Sequence, residues 1–166
     1  TLIFTEIHTG GKFNDKAYKA SQGTHGVGGS ATNAVSESFE VWTHREKKWH
    51  YQLFVKGKPV AAVKTVSFPA DVKKLLPYMP TRGTVIRFKP DQSVVSTNGG
   101  KTKAKLDIAH TARAMRDMAM LNPGIELVLS ANGKTKSFVN RDGLIGLVKR
   151  RILDLDLETM GKPFVH

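Results

Sequence analysis

A glycine-rich run near the start of the sequence has the composition of a phosphate-binding loop. Residues 23–29 include four glycines, and small helix-compatible residues such as Ala31 and Ala34 follow them. Several backbone N–H groups close together bind a phosphate chain, and glycine permits this because it has no side chain in the way. Lys12 and Lys19 lie nearby in the sequence and would add positive charge. A flexible loop without a ligand is the alternative interpretation.

Two common phosphate-loop patterns do not describe this run. The Walker pattern ends in Gly-Lys-Ser or Gly-Lys-Thr, whereas the sequence here reads Gly28-Gly29-Ser30. The Rossmann pattern is met nominally by residues 26–31, but it has to follow a buried strand, and the Lys-Ala-Ser-Gln of residues 19–22 is not one. The loop therefore belongs to neither class.

The periodicity of the chain predicts one α+β unit around this loop. Alternating residues predict strands, three- and four-residue spacing predicts helices, and Gly, Pro and Asn mark the turns between them. The predicted strands are Phe39–Thr43, Tyr51–Val55, Val60–Val66, Thr84–Phe88, Ile125–Leu129 and Thr135–Val139, with turns at Lys47-Lys48 and Asn132-Gly133. One helix is predicted directly after the glycine loop, and a second from Leu106 to Ala119, ended by Asn122-Pro123-Gly124. A last helix carries Leu144 to Leu155 and is capped by Asp142 or its neighbour.

The composition favours an intracellular protein that binds polyanions. The 166 residues contain 26 Lys plus Arg against 14 Asp plus Glu, a formal net charge of +12. Such an excess favours nucleic acid as the first partner class and an anionic membrane as the second, although any single basic cluster is commonly a solvated face. The absence of cysteine excludes disulfides and thiolate metal sites. No basic leader precedes an apolar run, and no apolar stretch approaches the roughly 20 residues that cross a bilayer.

The ungapped run from His8 to Gly28 resembles the ATP lid of the DNA gyrase B family. In that family the pattern is close to H-x-G-G-K-F-x-x-x-x-Y-K-x-S-x-G-x-H-G-V-G, and every fixed position is met here. Residues 83–91 resemble the family strand G-T-x-x-x-F-x-P-D, and Arg113 to Asn122 resemble a family helix that ends in Leu-Asn. The resemblance implies a GHKL (Bergerat) two-layer sandwich, with helices on one face of a mixed β-sheet. The run also resembles the large ATPase subunits of the split-subunit type IIA topoisomerases of phages.

The resemblance also implies roles for individual residues in binding ATP. Tyr18 would contact the adenine or ribose, Lys12 would lie near the γ-phosphate, and Thr84 would form the pocket floor. Arg45 matches a position near the pocket mouth. The expected nucleotide-binding residues are Lys12, Tyr18, Lys19, Gly23, Thr24, His25, Gly26, Val27, Gly28 and Thr84. Residues 1–160 would belong to the ATPase domain and residues 161–166 to its connection with the transducer domain.

The family's catalytic residues have no counterpart in these residues. The general-base Glu, the Mg²⁺-binding Asn four residues later and the adenine-binding D-x-G-x-G turn precede the lid in the family, and neither E-x-x-x-N nor D-x-G-x-G occurs here. We therefore expect a portion of an ATPase domain, opening at Thr1 within an apolar element, that holds no catalytic or metal-binding residue. Hydrolysis needs an oriented water and a metal ion, so this portion alone should not hydrolyse ATP.

The resemblance implies the partners of a DNA topoisomerase in the cytoplasm of a bacterium or a phage-infected cell. They are DNA, the missing N-terminal half of the domain, the transducer and DNA-cleavage subunits, and a second ATPase subunit in a homodimer, with no membrane. The alternative is a non-enzymatic split-gene module that binds nucleic acid through its basic surface or complements an N-terminal partner.

Overall fold

The computed structural model describes residues 2–7, 26–76, 82–97 and 102–156, which form two units. The units are Thr1–Ala104 and Lys105–His166. The division into two units does not decide whether residues 1–160 form one domain, because a single domain can contain two compact units. That assignment stays a prediction. Residues 161–166 lie outside the described ranges.

The first unit is built on an antiparallel sheet whose central strand is the longest strand among the described residues. Its elements are α1 (Leu2–Thr5), α2 (Gly28–Ala34), β1 (Ser36–Arg45), β2 (Lys48–Val55), β3 (Lys58–Pro59), β4 (Lys64–Val66), α3 (Ala70–Lys73), β5 (Gly83–Pro90) and α4 (Gln92–Val95). The strands lie in the order β3-β2-β1-β5, and β4 pairs with β2. Every pairing in the described part of this sheet is antiparallel, so the parallel strand of a mixed sheet is not found there.

The predicted strands are found with two local differences. The β1–β2 turn is formed by Glu46 and Lys47, both with positive φ (54° and 60°), one residue earlier than predicted. Of the predicted strand Val60–Val66, only Lys64–Val66 is a strand (β4); β3 (Lys58–Pro59) precedes the predicted range, and residues 60–63 lie between the two. Both lie along one edge of β2, where pairing is interrupted.

One face of the sheet, the helix face, packs against α1. Phe39, Val41 and Phe54 form its buried cluster, because alternation directs these three side chains to the same side. Phe4 of α1 covers them, with its ring centroid 5.3 Å from that of Phe39 and 6.1 Å from that of Phe54. Phe88, which pairs with Phe39 across β1 and β5, remains 50% exposed on this face.

The opposite face, the aromatic face, packs around Trp42, which is 2% exposed. Its indole lies against Tyr51 and Phe68, with centroid distances of 5.1 Å and 5.9 Å. The guanidinium of Arg87 lies over the same indole at 5.3 Å and bridges the carboxylates of Glu40 and Asp71. Trp42 is therefore a packing residue of this sheet.

The second unit holds two helices and a hairpin. Its elements are α5 (Ile108–Leu121), β6 (Leu127–Ala131), β7 (Lys134–Phe138) and α6 (Gly143–Asp154). Asp107 caps α5, because its Oδ1 accepts a hydrogen bond of 2.9 Å from the backbone N–H of His110. Asp142 precedes α6 as predicted, but its side chain makes no cap hydrogen bond; its own N–H donates to Asn140 Oδ1 instead.

Candidate nucleotide-binding site

Part of the predicted nucleotide site lies outside the described residues. This part comprises Lys12, Tyr18, Lys19, Gly23, Thr24 and His25. The structure describes the remaining four predicted binding residues, Gly26, Val27, Gly28 and Thr84, and also Arg45. The geometry of the site is therefore built from the end of the glycine run and from the sheet.

The glycine run ends where α2 begins, and the backbone there suits a close ligand. Gly26 has φ of 59°, a conformation that glycine adopts readily. Gly28 is the first residue of α2, and a Cβ at this position would meet nothing within 4 Å. The N-cap residue Val27 has no side-chain acceptor, so it leaves the N–H groups of the first turn for another acceptor. Since α2 has only seven residues, these N–H groups matter more than the helix dipole.

Asn33 fixes α2 against the rest of the unit. Its side chain is fully buried, and Nδ2 donates to the carbonyl oxygens of Phe4 (2.8 Å) and Gly57 (3.2 Å). Its Oδ1 accepts no hydrogen bond from the described part of the chain. Gly29 adds a close approach, because a Cβ there would lie 3.3 Å from the ring of Phe4. The position of the glycine run therefore depends on contacts with α1 and with the turn after β2.

Thr84 lies on the helix face of the sheet, beside a neighbour, Thr43, that was not predicted from the sequence. The hydroxyl oxygens of Thr84 in β5 and Thr43 in β1 are 3.3 Å apart, because the two residues are directly paired. Thr84 is exposed, so a ligand can reach this pair. No described contact joins Thr84 to Gly26, Val27 or Gly28 within the ranges that the structure covers.

Thr43 also lines a cavity of about 510 Å³ on the same face, next to α1. This volume lies within the range of roughly 300–1,000 Å³ that small-molecule sites have. Apolar walls come from Phe4 and Val41, and polar groups come from Thr43, Gln52 and Arg45. Thr84 is not a lining residue, but it adjoins the cavity through Thr43.

Arg45, which the resemblance places near the mouth of the nucleotide pocket, lines this cavity, and its position relative to a nucleotide stays a prediction. Its side chain is 79% exposed and lies 3.7 Å from the carboxylate of Glu46, also 79% exposed. An exposed pair of this kind is held weakly, at about 0–1 kcal/mol. The guanidinium is therefore available to an anionic or planar ligand. His50 and Glu46 also line the cavity, and no pattern in the sequence singled out either of them.

The sequence resembles curated gyrase and topoisomerase proteins over most of its length. It is 38% identical over 152 residues to the DNA gyrase B protein of Archaeoglobus fulgidus, covering 89% of this chain and 22% of that protein. The gyrase B protein of Thermotoga maritima is 37% identical (89% and 21%). The topoisomerase IV B protein of Mycoplasma capricolum is 33% identical (92% and 22%). The chain is homologous to gyrase B. No protein-family model matches the sequence.

The fold of the homologous region agrees with this relationship. The 43K ATPase domain of Thermus thermophilus gyrase B, crystallised with an aminocoumarin, superposes with a TM-score of 0.63 at 24% identity. The match covers 90% of this chain and 33% of that domain. The predicted α+β, GHKL-type fold is therefore confirmed. The chain spans about a fifth of the length of the curated gyrase B proteins that it matches. No helix among the described residues is long and apolar enough to cross a membrane.

Proposed function

We propose that this chain forms part of the ATP-binding domain of an ATP-dependent type II DNA topoisomerase, which changes DNA topology by strand passage. The observation that carries the proposal is its 38% identity with a gyrase B protein over 89% of the chain. The uncapped glycine end of α2 and the cavity beside Thr43 support it. The cytoplasm of a bacterium or a phage-infected cell is its expected location.

Within this proposal, the glycine run binds the triphosphate and the sheet binds the base end of ATP. Gly26, Val27 and Gly28, together with Gly23, Thr24 and His25, donate backbone N–H groups to phosphate oxygens. Lys12 and Lys19 balance the phosphate charge, and Tyr18 contacts the adenine or ribose. The hydroxyl of Thr84, held beside that of Thr43, donates to or accepts from the nucleotide at the pocket floor.

The Mg²⁺ ion that accompanies ATP takes its protein ligand from outside these 166 residues. Among the described residues, no group of three or more His, Asp or Glu side chains could hold a metal ion. A bound Mg²⁺ would neutralise charge that develops on the phosphates. Because E-x-x-x-N is absent from the sequence, we propose that the chain binds nucleotide without hydrolysing it.

Calorimetric titration with a non-hydrolysable ATP analogue and Mg²⁺ tests nucleotide binding. The titration is run with the chain alone and with the added segment that precedes the homologous region in the Thermotoga maritima protein. Gly26→Val should abolish measurable binding, because φ of 59° disfavours a β-branched residue. Gly133→Val, at φ of 72° in the β6–β7 turn, is the matched control for backbone strain and should bind normally.

Thr84→Val tests the pocket floor separately. Loss of one hydroxyl hydrogen bond, about 0.5–1.5 kcal/mol, should weaken binding by roughly 2- to 10-fold. Thr135→Val in β7 removes an exposed threonine hydroxyl from the second unit and should leave the affinity unchanged. If nucleotide binds neither to the chain alone nor to the pair, the proposal is wrong. Phosphate release by the chain alone would contradict its lack of a catalytic base.

A further inference from the structure

A cleft between α5 and α6 is lined by four arginines. They are Arg113 and Arg116 on α5 and Arg150 and Arg151 on α6, and the cavity between them has a volume of about 130 Å³. The other lining residues are Asp117, Met120, Leu147 and Asp154. We call these eight residues the arginine cleft. It lies wholly within the second unit and contains no residue assigned to nucleotide binding.

The two helices contribute to the cleft with the same spacing. On α5 the lining residues are 113, 116, 117 and 120, and on α6 they are 147, 150, 151 and 154. Positions i, i+3, i+4 and i+7 share one face of a helix. Each helix therefore directs two guanidinium groups, one carboxylate and one apolar side chain into the space between them. The apolar pair, Met120 and Leu147, lines the cleft alongside the charged groups.

The charges of the cleft are unbalanced. Four guanidinium groups face two carboxylates, which leaves two net positive charges. Arg150 pairs with Asp154 at 3.0 Å within α6. In the described part of the chain, the side chains of Arg116 and Arg151 form neither a hydrogen bond nor an ion pair, and the side chain of Arg113 interacts only at longer range with Asp107. Like charges that line one cleft repel each other unless an anion lies between them.

We propose that the arginine cleft binds the phosphodiester backbone of nucleic acid. Guanidinium groups bind phosphate oxygens in pairs of parallel hydrogen bonds, and arginine is enriched wherever phosphate is bound in this way. The cavity of about 130 Å³ is below the range of roughly 300–1,000 Å³ that small-molecule ligands occupy. A single phosphate group on a polymer that passes along the cleft fits a space of this size.

The net charge of the chain supports a polyanion as the partner. The formal charge of +12 attracts a nucleic acid from a distance, and the cleft gives this attraction a defined place of contact. The contact is sequence-independent, because backbone phosphates are alike at every base pair. Arginines that only joined the two helices would pair with carboxylates across the cleft, and the one ion pair described there lies within α6.

The test is the salt dependence of binding to a labelled DNA duplex of about 20 base pairs, followed by fluorescence anisotropy. Arg113→Gln, Arg116→Gln and Arg151→Gln are combined in one variant. The matched control combines Lys47→Gln, Lys48→Gln and Lys73→Gln, which remove the same charge from exposed positions of the first unit. Circular dichroism establishes that both variants fold, and the single variants Arg116→Gln and Arg151→Gln replace the triple variant if it does not.

The arginine variant should lower the slope of log K against log salt by roughly 0.9 for each phosphate that it no longer neutralises, a total of about two to three. The control should change the slope by less than about one. Equal changes in the two variants would overturn the proposal, since they would show that only net charge matters. Competition by polyglutamate as effective as competition by DNA would overturn the assignment to phosphodiesters. The cleft is tested independently of ATP binding, which both variants should retain.

Discussion

Replacing Asn33 tests how the glycine helix is held in place. The side chain is fully buried, and both hydrogens of Nδ2 are donated to backbone carbonyls, those of Phe4 and Gly57. Asn33→Asp keeps the shape of the side chain but removes these donors. A protonated carboxyl can donate to one carbonyl only, and an ionised one faces two carbonyl oxygens with no donor at all.

The expected cost depends on pH. While the introduced carboxyl is protonated, one buried carbonyl loses its partner, at about 1–3 kcal/mol. Burial and the two facing carbonyls raise the pKa of this carboxyl in the folded state above the ordinary value of about 3.9. The folded form then binds the proton more tightly than the unfolded form does. The free energy of unfolding of Asn33→Asp, relative to that of the unchanged chain, is therefore greatest below the ordinary pKa. It falls as pH rises through the folded-state pKa, by about 1.4 kcal/mol for each unit of difference between the two pKa values.

Urea unfolding followed by tryptophan fluorescence measures this effect, because Trp42 is buried in the same unit. The free energy of unfolding of Asn33→Asp and of the unchanged chain is compared at about pH 4 and about pH 8. Asn33→Leu is the control of similar size that cannot ionise, and its cost should be independent of pH. If Asn33→Asp costs the same at both pH values, or less than about 0.5 kcal/mol at either, the two hydrogen bonds do not hold α2 as described.

Three further predictions concern other contacts of the two units. Burial raises the pKa of Tyr51 to about 12, and a hydrogen bond to Glu40 is the next largest cause. The contribution of the protonated phenol to the free energy of unfolding should therefore be lost only as pH rises from about 10 through 12. Glu40→Gln should lower that pKa in an absorbance titration read against Tyr51→Phe, and an unchanged midpoint would contradict the assignment. Asp107→Ala should destabilise the second unit by about 1 kcal/mol in urea unfolding while Asp107→Asn is nearly neutral, and equal losses would exclude a capping role. Gly57→Ala should lower the free energy of unfolding by more than the roughly 1–2 kcal/mol of a positive-φ alanine, because its Cβ would lie 3.3 Å from the α2 backbone. Gly133→Ala, whose Cβ would lie in open space, should cost only the strain of the positive φ. A smaller loss for Gly57→Ala than for Gly133→Ala would refute the contact.

Elements that are marked by a short run of turn-forming residues could be predicted from the sequence. The β6–β7 turn follows from Asn132-Gly133, because both residues take the positive φ that a tight hairpin turn requires (52° and 72°). Glu46 and Lys47 take the same conformation without being residues that favour it. Their turn is set by the long register of β1 with β2, so alternation alone predicted its position one residue too late, at Lys47-Lys48.

Residues of the candidate site could be predicted from the sequence only where they belong to a motif or to a stretch that resembles the family. Thr84 lies in a motif that could be recognised, but its neighbour Thr43 comes from strand pairing between positions 41 residues apart. Asn33 bonds to carbonyls 24 and 29 residues away, and periodicity contains no information about such contacts. The roles of Lys12 and Tyr18 rest on the resemblance, and they stay predictions.

The central position of β1 has a consequence for how the first unit opens. Of its ten residues, eight pair with β2 on one side and eight pair with β5 on the other, so most of the amide hydrogens of β1 face a neighbouring strand. Such amides exchange with deuterium only when the sheet separates, whereas those of the short edge strands β3 and β4 exchange through local fraying. The slowest-exchanging amides of β1 should therefore report the global unfolding free energy of this unit. Because Thr43 belongs to the same strand, a ligand bound at the Thr43–Thr84 pair should slow exchange along all of β1 rather than only beside the pocket.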